Sequence, residues 1–219
     1  MPASLDASSA PDRTSRWLAW LRELQAMAQT GLHFAQDPYD QERYRRLREL
    51  ATDMAAEVSG MPSAPILAWH TAEFGYATPK VDTRGVIFRD NRILLVRETA
   101  DAGRWTLPGG WADVNETPAQ AVAREVQEES GYEVRATRLL AVLDREHQQH
   151  PPPFPFHVYK LFFLCEIVGG APQPNAEASE QGWFAEDQLP ELSEARVLPR
   201  QLHRFFEQVR RGTLPADFD

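Results

Sequence analysis

From position 17 the apolar residues Trp17, Leu18, Trp20, Leu21, Leu24, Met27 and Ala28 recur at three- and four-residue intervals. That is the period of a helix with one buried face. Gly31 offers this helix a stop. A second helix is announced by Asp37 as N-cap and Pro38 at the first helical position. Its stripe is Tyr44, Leu47, Leu50, Ala51, Met54 and Val58, ending near Gly60. Together they predict an N-terminal helical hairpin over 14–60. A helix pair buries too little apolar surface to stand alone, so it must pack on the rest of the chain or on a second copy. Residues 61–79, "MPSAPILAWHTAEFGYATP", carry prolines and no clear period and read as a linker. Residues 1–13, rich in Ala, Ser, Pro and Asp, read as a disordered lead.

Past the linker the period shortens. "GVIFRDNRILLVRE" holds two apolar runs split by Arg89-Asp90-Asn91-Arg92, the pattern of a β-hairpin. "YEVRATRLLAVLDREH" and "HVYKLFFLCEIVG" are strand-like, "QGWFAEDQLPEL" adds a short strand and turn, and a last helix starts near Pro199 with Leu202, Phe205, Phe206 and Val209. Strands around a central helix, with another helix closing the chain, predict an α/β unit with a mixed sheet over 80–219. The patch "PPPFPF" (151–156) reads as a rigid surface loop.

That central helix lies in "LPGGWADVNETPAQAVAREVQEESGYEV", Leu107 to Val134. Thr117 can cap it, Pro118 suits the first helical position, Gln120 completes a capping box and Gly131 supplies a left-handed exit. Ala119, Val122, Ala123 and Val126 would pack on the sheet. At 100° per residue, Glu125, Glu128 and Glu129 fall within an arc of roughly 100° beside that face. Exposed like-charge pairs at this spacing cost only about 0.2–0.5 kcal/mol each, so a solvated acidic face is the plain alternative. Carboxylates part-buried against a sheet would cost more, and a hard divalent cation such as Mg²⁺ or Mn²⁺ is their natural compensation.

Composition narrows the partners. The net charge is −9, from 32 acidic against 23 basic residues. It argues against a broad grip on nucleic acid or on anionic membrane. The single cysteine, Cys165, sits in an apolar run and has no internal disulfide partner. No run of about 18 apolar residues occurs, so a membrane span is not expected and the expected location is the cytoplasm.

The fixed positions of the acidic stretch run Gly110, five residues, Glu116, seven residues, then Arg124-Glu125-Val126-x-Glu128-Glu129-x-Gly131-Tyr132. This resembles the signature of the Nudix hydrolases, departing only at Tyr132, which stands where the family has an aliphatic residue. "WTLPGG" (105–110) is similar to the family's lead-in. The resemblance implies a β-α-β sandwich that hydrolyses a nucleoside diphosphate linked to another moiety, X, giving a nucleoside monophosphate and X-phosphate. It implies Mg²⁺, or Mn²⁺, held by Glu125, Glu128 and Glu129 with the Gly109 carbonyl. Arg124 would orient these carboxylates and pair with Glu116, while Gly110 and Gly131 shape the motif. The base for the attacking water is implied to be Glu125 or a loop glutamate, Glu177 before Glu180.

The helical stretch 18–51 ahead of such a module resembles Nudix hydrolases with an N-terminal helical extension, among them CDP-choline and ADP-ribose pyrophosphatases. "HVYKLFFLCEI" and "LPELSEARVLPRQL" fit that subgroup, so the likeness spans about residues 15 to 208. It implies a homodimer with the hairpin at or near the interface. Action on oxidised nucleotides or on RNA ends, and a non-catalytic ligand sensor, stay open as alternatives. The intact acidic set weighs against the sensor. Of the aromatics, Trp17 and Trp20 lie on the apolar stripe, whereas Trp105 and Trp111 flank the glycine turn and are candidates to line a substrate cleft. His147 and His150 lack a third ligand nearby and read as surface loop residues.

Overall fold

The computed structural model describes residues 13–173, 178–212 and 214–219. The lead expected over 1–13 falls almost entirely outside them. The described chain divides into two compact units, one of helices up to Lys80 together with Pro151–His157, the other from Val81–His150 and Val158–Asp219.

The helical unit contains α1 (Arg13–Phe34), α2 (Pro38–Ser59) and α3 (Ser63–Ala72). Asp37 caps α2 by accepting from the Tyr39 and Asp40 amides, and Gly60 ends it in the left-handed conformation. Gly31 does not stop α1. A Cβ there would lie 2.4 Å from the Tyr44 ring, so this glycine is the point where α2 comes close to α1. The third helix occupies the stretch expected to be a linker. Its prolines, Pro62 and Pro65, lie before and within its first turn, where a missing N–H costs nothing. Ile66 and His70, one turn apart, are its buried residues, and Ile66 joins Leu18, Leu21 and Ala55 in a small core. The proline patch is no simple surface loop either. Pro155 is buried, the Phe156 ring packs 5.7 Å from Trp69, and Arg22 Nε donates to the Phe154 carbonyl at 3.1 Å.

In the second unit eight strands form one mixed sheet among the described residues: β1 (Lys80–Arg89), β2 (Arg92–Glu98), β3 (Trp105–Thr106), β4 (Gly109–Trp111), β5 (Tyr132–Asp144), β6 (Val158–Gly170), β7 (Ala178–Phe184) and β8 (Asp217–Phe218). The order runs β3-β2-β1-β6-β5-β8, with β4 on β1 and β7 on β2. β8 lies parallel to β5, which makes the sheet mixed. The expected hairpin is β1–β2, turned by Asp90 and Asn91, both at positive φ.

Alternation along these strands feeds two cores. Val86, Ile93 and Leu95 pack with Leu202, Phe205 and Phe206 of α5 (Pro199–Arg211), while Ile87 and Leu94 face Val122 and Val126 of α4 (Pro118–Ser130). Each fully buried aliphatic residue contributes about 1.5–3 kcal/mol. The two helices therefore cover opposite faces, and α4 is held with its glutamates against the edge of its core. No helix of the described residues is long and apolar enough to cross a membrane.

His150 was expected on the surface and is 3% exposed. Its Nδ1–H donates to the Glu194 carbonyl at 2.7 Å, and Nε2 accepts from the Gln201 amide at 3.1 Å. Burial, with the Lys160 charge adding, pushes its pKa down to about 3. The unfolded chain therefore binds a proton that the folded chain refuses, and this group's contribution to stability should fall as pH drops below 6.5. The loss from this group is roughly 2–3 kcal/mol between pH 6.5 and pH ~4.5. Urea unfolding at several pH values should show it as a difference: below pH 6.5 the wild type should lose stability relative to a His150→Asn variant.

Candidate active site

The acidic helix forms where its caps require. Thr117 Oγ1 accepts from the Gln120 amide at 3.3 Å, the Gln120 side chain takes the Thr117 amide at 2.9 Å, and Gly131 leaves the helix at φ 76°. Val122, Ala123 and Val126 pack on the core as expected, but Ala121 is buried and Ala119 is exposed, so the inward face is turned somewhat from the expected one. The rotation carries Glu129 inward with them, to 7% exposure, while Glu125 is mostly covered and Glu128 is open to solvent.

Arg124 gathers this face. Nε and Nη2 bind Glu116 at 2.8 and 3.0 Å, the pairing that the family resemblance implied. Nη1 binds Glu125 at 2.8 Å and Glu128 at 3.0 Å, and Nη2 also reaches the Trp111 carbonyl at 3.2 Å. Its hydrogen bond to Glu116 holds that carboxyl below its ordinary pKa. Burial acts the other way on the inner pair. It raises the Glu125 carboxyl, against the pull of Arg124, and pushes Glu129 up to about 7 against the pull of Arg84 and the Gly109 amide.

Opposite the helix stands the glycine turn joining β3 to β4. Gly109 has φ +141°, and its amide donates to Glu129 Oε2 at 2.8 Å. A Cβ on Gly109 would lie 2.1 Å from the Thr83 carbonyl oxygen, and one on Gly110 would lie 2.6 Å from Glu125 Oε2. The two glycines thus let backbone meet carboxylate at close range.

Contacts through Arg124 and the glycine turn link Glu116, Glu125, Glu128, Glu129, Gly109 and Gly110, whereas Gly131 ends α4 beside Ala171 and Gln173. Glu177 lies outside the described residues. Glu180 is exposed on β7 and pairs with Arg97 at 3.3 Å. Trp105 packs edge-on against Phe184 with centroids 4.8 Å apart, whereas Trp111 stays half exposed beside the turn. Sequence reasoning missed Asp82, Arg84 and Lys160, buried behind the turn, and the Glu98–Arg196 pair at 3.0 Å. The one available signal was Lys160, one of two lysines, at an inward position of an apolar strand.

The residues suit a divalent cation in donor chemistry. They offer hard carboxylate oxygens on a rigid helix, two of them pushed toward the neutral form by burial, beside a backbone cradle that any Cβ would fill. Among the described residues, no three acidic, histidine or cysteine side chains already converge as a ready-made cation site. Arg124 instead ties Glu125 and Glu128 to itself.

Known proteins resemble this chain in sequence and fold. The model of the NUDIX domain matches residues 79–205, and that of a UDP-X-like, N-terminal oligomerisation domain matches 15–69. The chain belongs to the Nudix hydrolase family and is an enzyme of the pyrophosphohydrolase class. It is 42% identical over 205 residues to YjhB of Bacillus subtilis (strain 168), provisionally named an ADP-ribose pyrophosphatase, covering 94% of this chain and 98% of that protein. A crystal structure of a UDP-X diphosphatase matches with TM-score 0.60 at 35% identity, over 95% of this chain and 100% of that one. An ADP-ribose pyrophosphatase from Streptococcus suis matches with TM-score 0.59 at 42% identity, over 65% of this chain and 100% of its own.

The two glycines should respond differently to an added methyl. Gly109→Ala meets backbone at a φ that L-residues avoid, and should destabilise the protein by more than about 2 kcal/mol. Gly110→Ala meets only the tip of Glu125, so its melting temperature should stay within a few degrees while hydrolytic turnover falls at least about tenfold. Thermal melts and turnover of both variants check the contrast.

Proposed function

We propose that this protein is a Mg²⁺-dependent hydrolase of nucleoside diphosphates linked to X, such as ADP-ribose or CDP-choline, releasing a nucleoside monophosphate and X-phosphate. Mn²⁺ is the substitute cation. The observation that carries the reading is the set of Glu125, Glu128 and Glu129 on one face of α4, closed on its inner side by the Gly109 amide. Relatives along nearly the whole chain that are named for ADP-ribose and UDP-X support the substrate class.

On this reading the three glutamates and the Gly109 carbonyl hold the cation. When bound, it neutralises the diphosphate and polarises the phosphorus under attack. Arg124 keeps Glu125 and Glu128 oriented through the bonds described above. A glutamate, either Glu125 or Glu177, takes one proton from the attacking water. The hydroxyl joins one phosphorus, the bridging P–O bond breaks, and the other phosphate leaves as a monoester. Trp111, half exposed beside the turn, offers a ring face to the nucleoside or to X.

The same reading includes a homodimer built through the helical unit, in the cytoplasm. The N-terminal match to an oligomerisation domain supports it. So does the apolar surface that unit leaves uncovered, with Trp20, Met27, Phe34, Tyr39 and Leu50 all exposed.

Two experiments test these statements. Glu129→Gln removes one anionic donor while keeping its shape, and should lower kcat at least about 10²-fold with fold retained. Assays of ADP-ribose, CDP-choline and nucleotide sugars, with products identified by mass, provide the measurement; unchanged turnover in the variant would sink the assignment. For assembly, sedimentation equilibrium should give twice the chain mass of 24.9 kDa. A Trp20→Glu and Met27→Glu double variant should shift the mass toward one chain.

A further inference from the structure

A buried row of alternating charge runs from the middle of the sheet to the glycine turn. Lys160 on β6, 1% exposed, pairs with Asp82 on β1, which is also buried. Asp82 receives both Arg84 Nε, at 2.8 Å, and Arg84 Nη2, at 3.3 Å. The remaining nitrogen, Nη1, donates to the carbonyl of Leu107 at 3.2 Å. Arg84 stands opposite Gly109 in the β1–β4 register, and the next residue, Gly85, donates its amide to the Pro108 carbonyl at 2.8 Å. From the other side Glu129 holds the Gly109 amide. Three consecutive residues of the turn are therefore gripped: Leu107 and Pro108 from β1, and Gly109 from α4.

Stability gives no reason to build this row. Burying three charged groups exacts a desolvation penalty that their mutual attraction roughly offsets, and apolar residues of the same volume often serve as well or better. What an apolar filling cannot do is hold a carbonyl oxygen at one place. A guanidinium whose three nitrogens are all engaged can do so, because its planar fork fixes direction as well as distance.

We propose that Asp82, Arg84 and Lys160 form a positioning device for the glycine turn. Lys160 fixes Asp82, Asp82 fixes the plane of Arg84, and Arg84 sets the Leu107–Gly109 backbone against Glu129. The proposal rests on the reading that this turn faces the reacting diphosphate, and it assigns Arg84 a role in geometry without contact to substrate.

The test compares Arg84→Lys, which keeps the charge and loses the fork, with wild type. In the absence of cation and substrate, hydrogen exchange at the Gly109 and Gly110 amides should quicken at least about tenfold, while amides in β5 and β6 keep their protection. With Mg²⁺ and the best substrate of the panel, kcat should fall at least about tenfold and KM should stay within about twofold, the pattern of a misplaced catalytic group. Asp82→Asn, nearly isosteric, should reproduce both effects and serves if the first variant does not fold. Wild-type exchange at the turn in either folded variant overturns the proposal, as does failure of both variants to fold, since the triad would then be structural. A wild-type protein with no turnover on any substrate would instead sink the proposed function, and the exchange comparison would still decide the clamp.

Discussion

An acidic helix can lie against the sheet only if the carboxylates it carries inward are met by compensating groups. Here the compensation comes from two guanidinium groups on opposite sides. Arg124, at the rim, spreads its nitrogens over Glu116, Glu125, Glu128 and the Trp111 carbonyl. Arg84, behind the turn, places its charge where it favours ionised Glu129 and Glu125. Burial raises the proton affinity of both inner glutamates, and the arginines oppose it without cancelling it. The residual deficit is of the sign that a bound divalent cation offsets, and it links the packing of α4 to the chemistry of the family.

The turn opposite that helix is set by a different constraint. Gly109 lies at a φ that a side chain rarely permits, and its missing Cβ leaves room for the Thr83 carbonyl. The strand pairing of β4 on β1 and the Glu129 hydrogen bond both depend on that close approach. Backbone and carboxylate are therefore joined directly, by the hydrogen bond from the Gly109 amide to Glu129. The helical unit meets a separate need. Its small core of Leu18, Leu21, Ala55 and Ile66 leaves large apolar side chains on the surface, as expected of a module that packs on a partner.

Much of the site was legible in the sequence because its parts are local. The capping box, the Pro118 start and the Gly131 exit are all specified within the helix itself, so α4 appears where its residues place it. The Arg124–Glu116 pair was implied by the family resemblance and not by helix periodicity, since Glu116 precedes the N-cap. The rotation of α4 was less well read. Ala119 looked inward on periodicity, yet Ala121 is the residue that packs, because the sheet and not the helix decides which stripe is buried. Glu129 is carried inward by that choice.

Other features depended wholly on partners distant in sequence. A glycine at position 31 reads as a stop until the Tyr44 ring is found against it, and Pro62 and Pro65 read as breakers until they fall at a helix start. His150 looked like a loop histidine, but its two ring nitrogens are satisfied by Glu194 and Gln201, more than forty residues away. The link from Lys160 through Asp82 and Arg84 to Leu107 joins two strands and a turn, and no local pattern records it. Sequence alone thus determined the longer elements, the caps of α2 and α4 and the acidic motif, since short-range sterics and periodicity specify these. Tertiary structure decided which side chains are buried and what meets them, because burial and charge compensation are properties of neighbours in space.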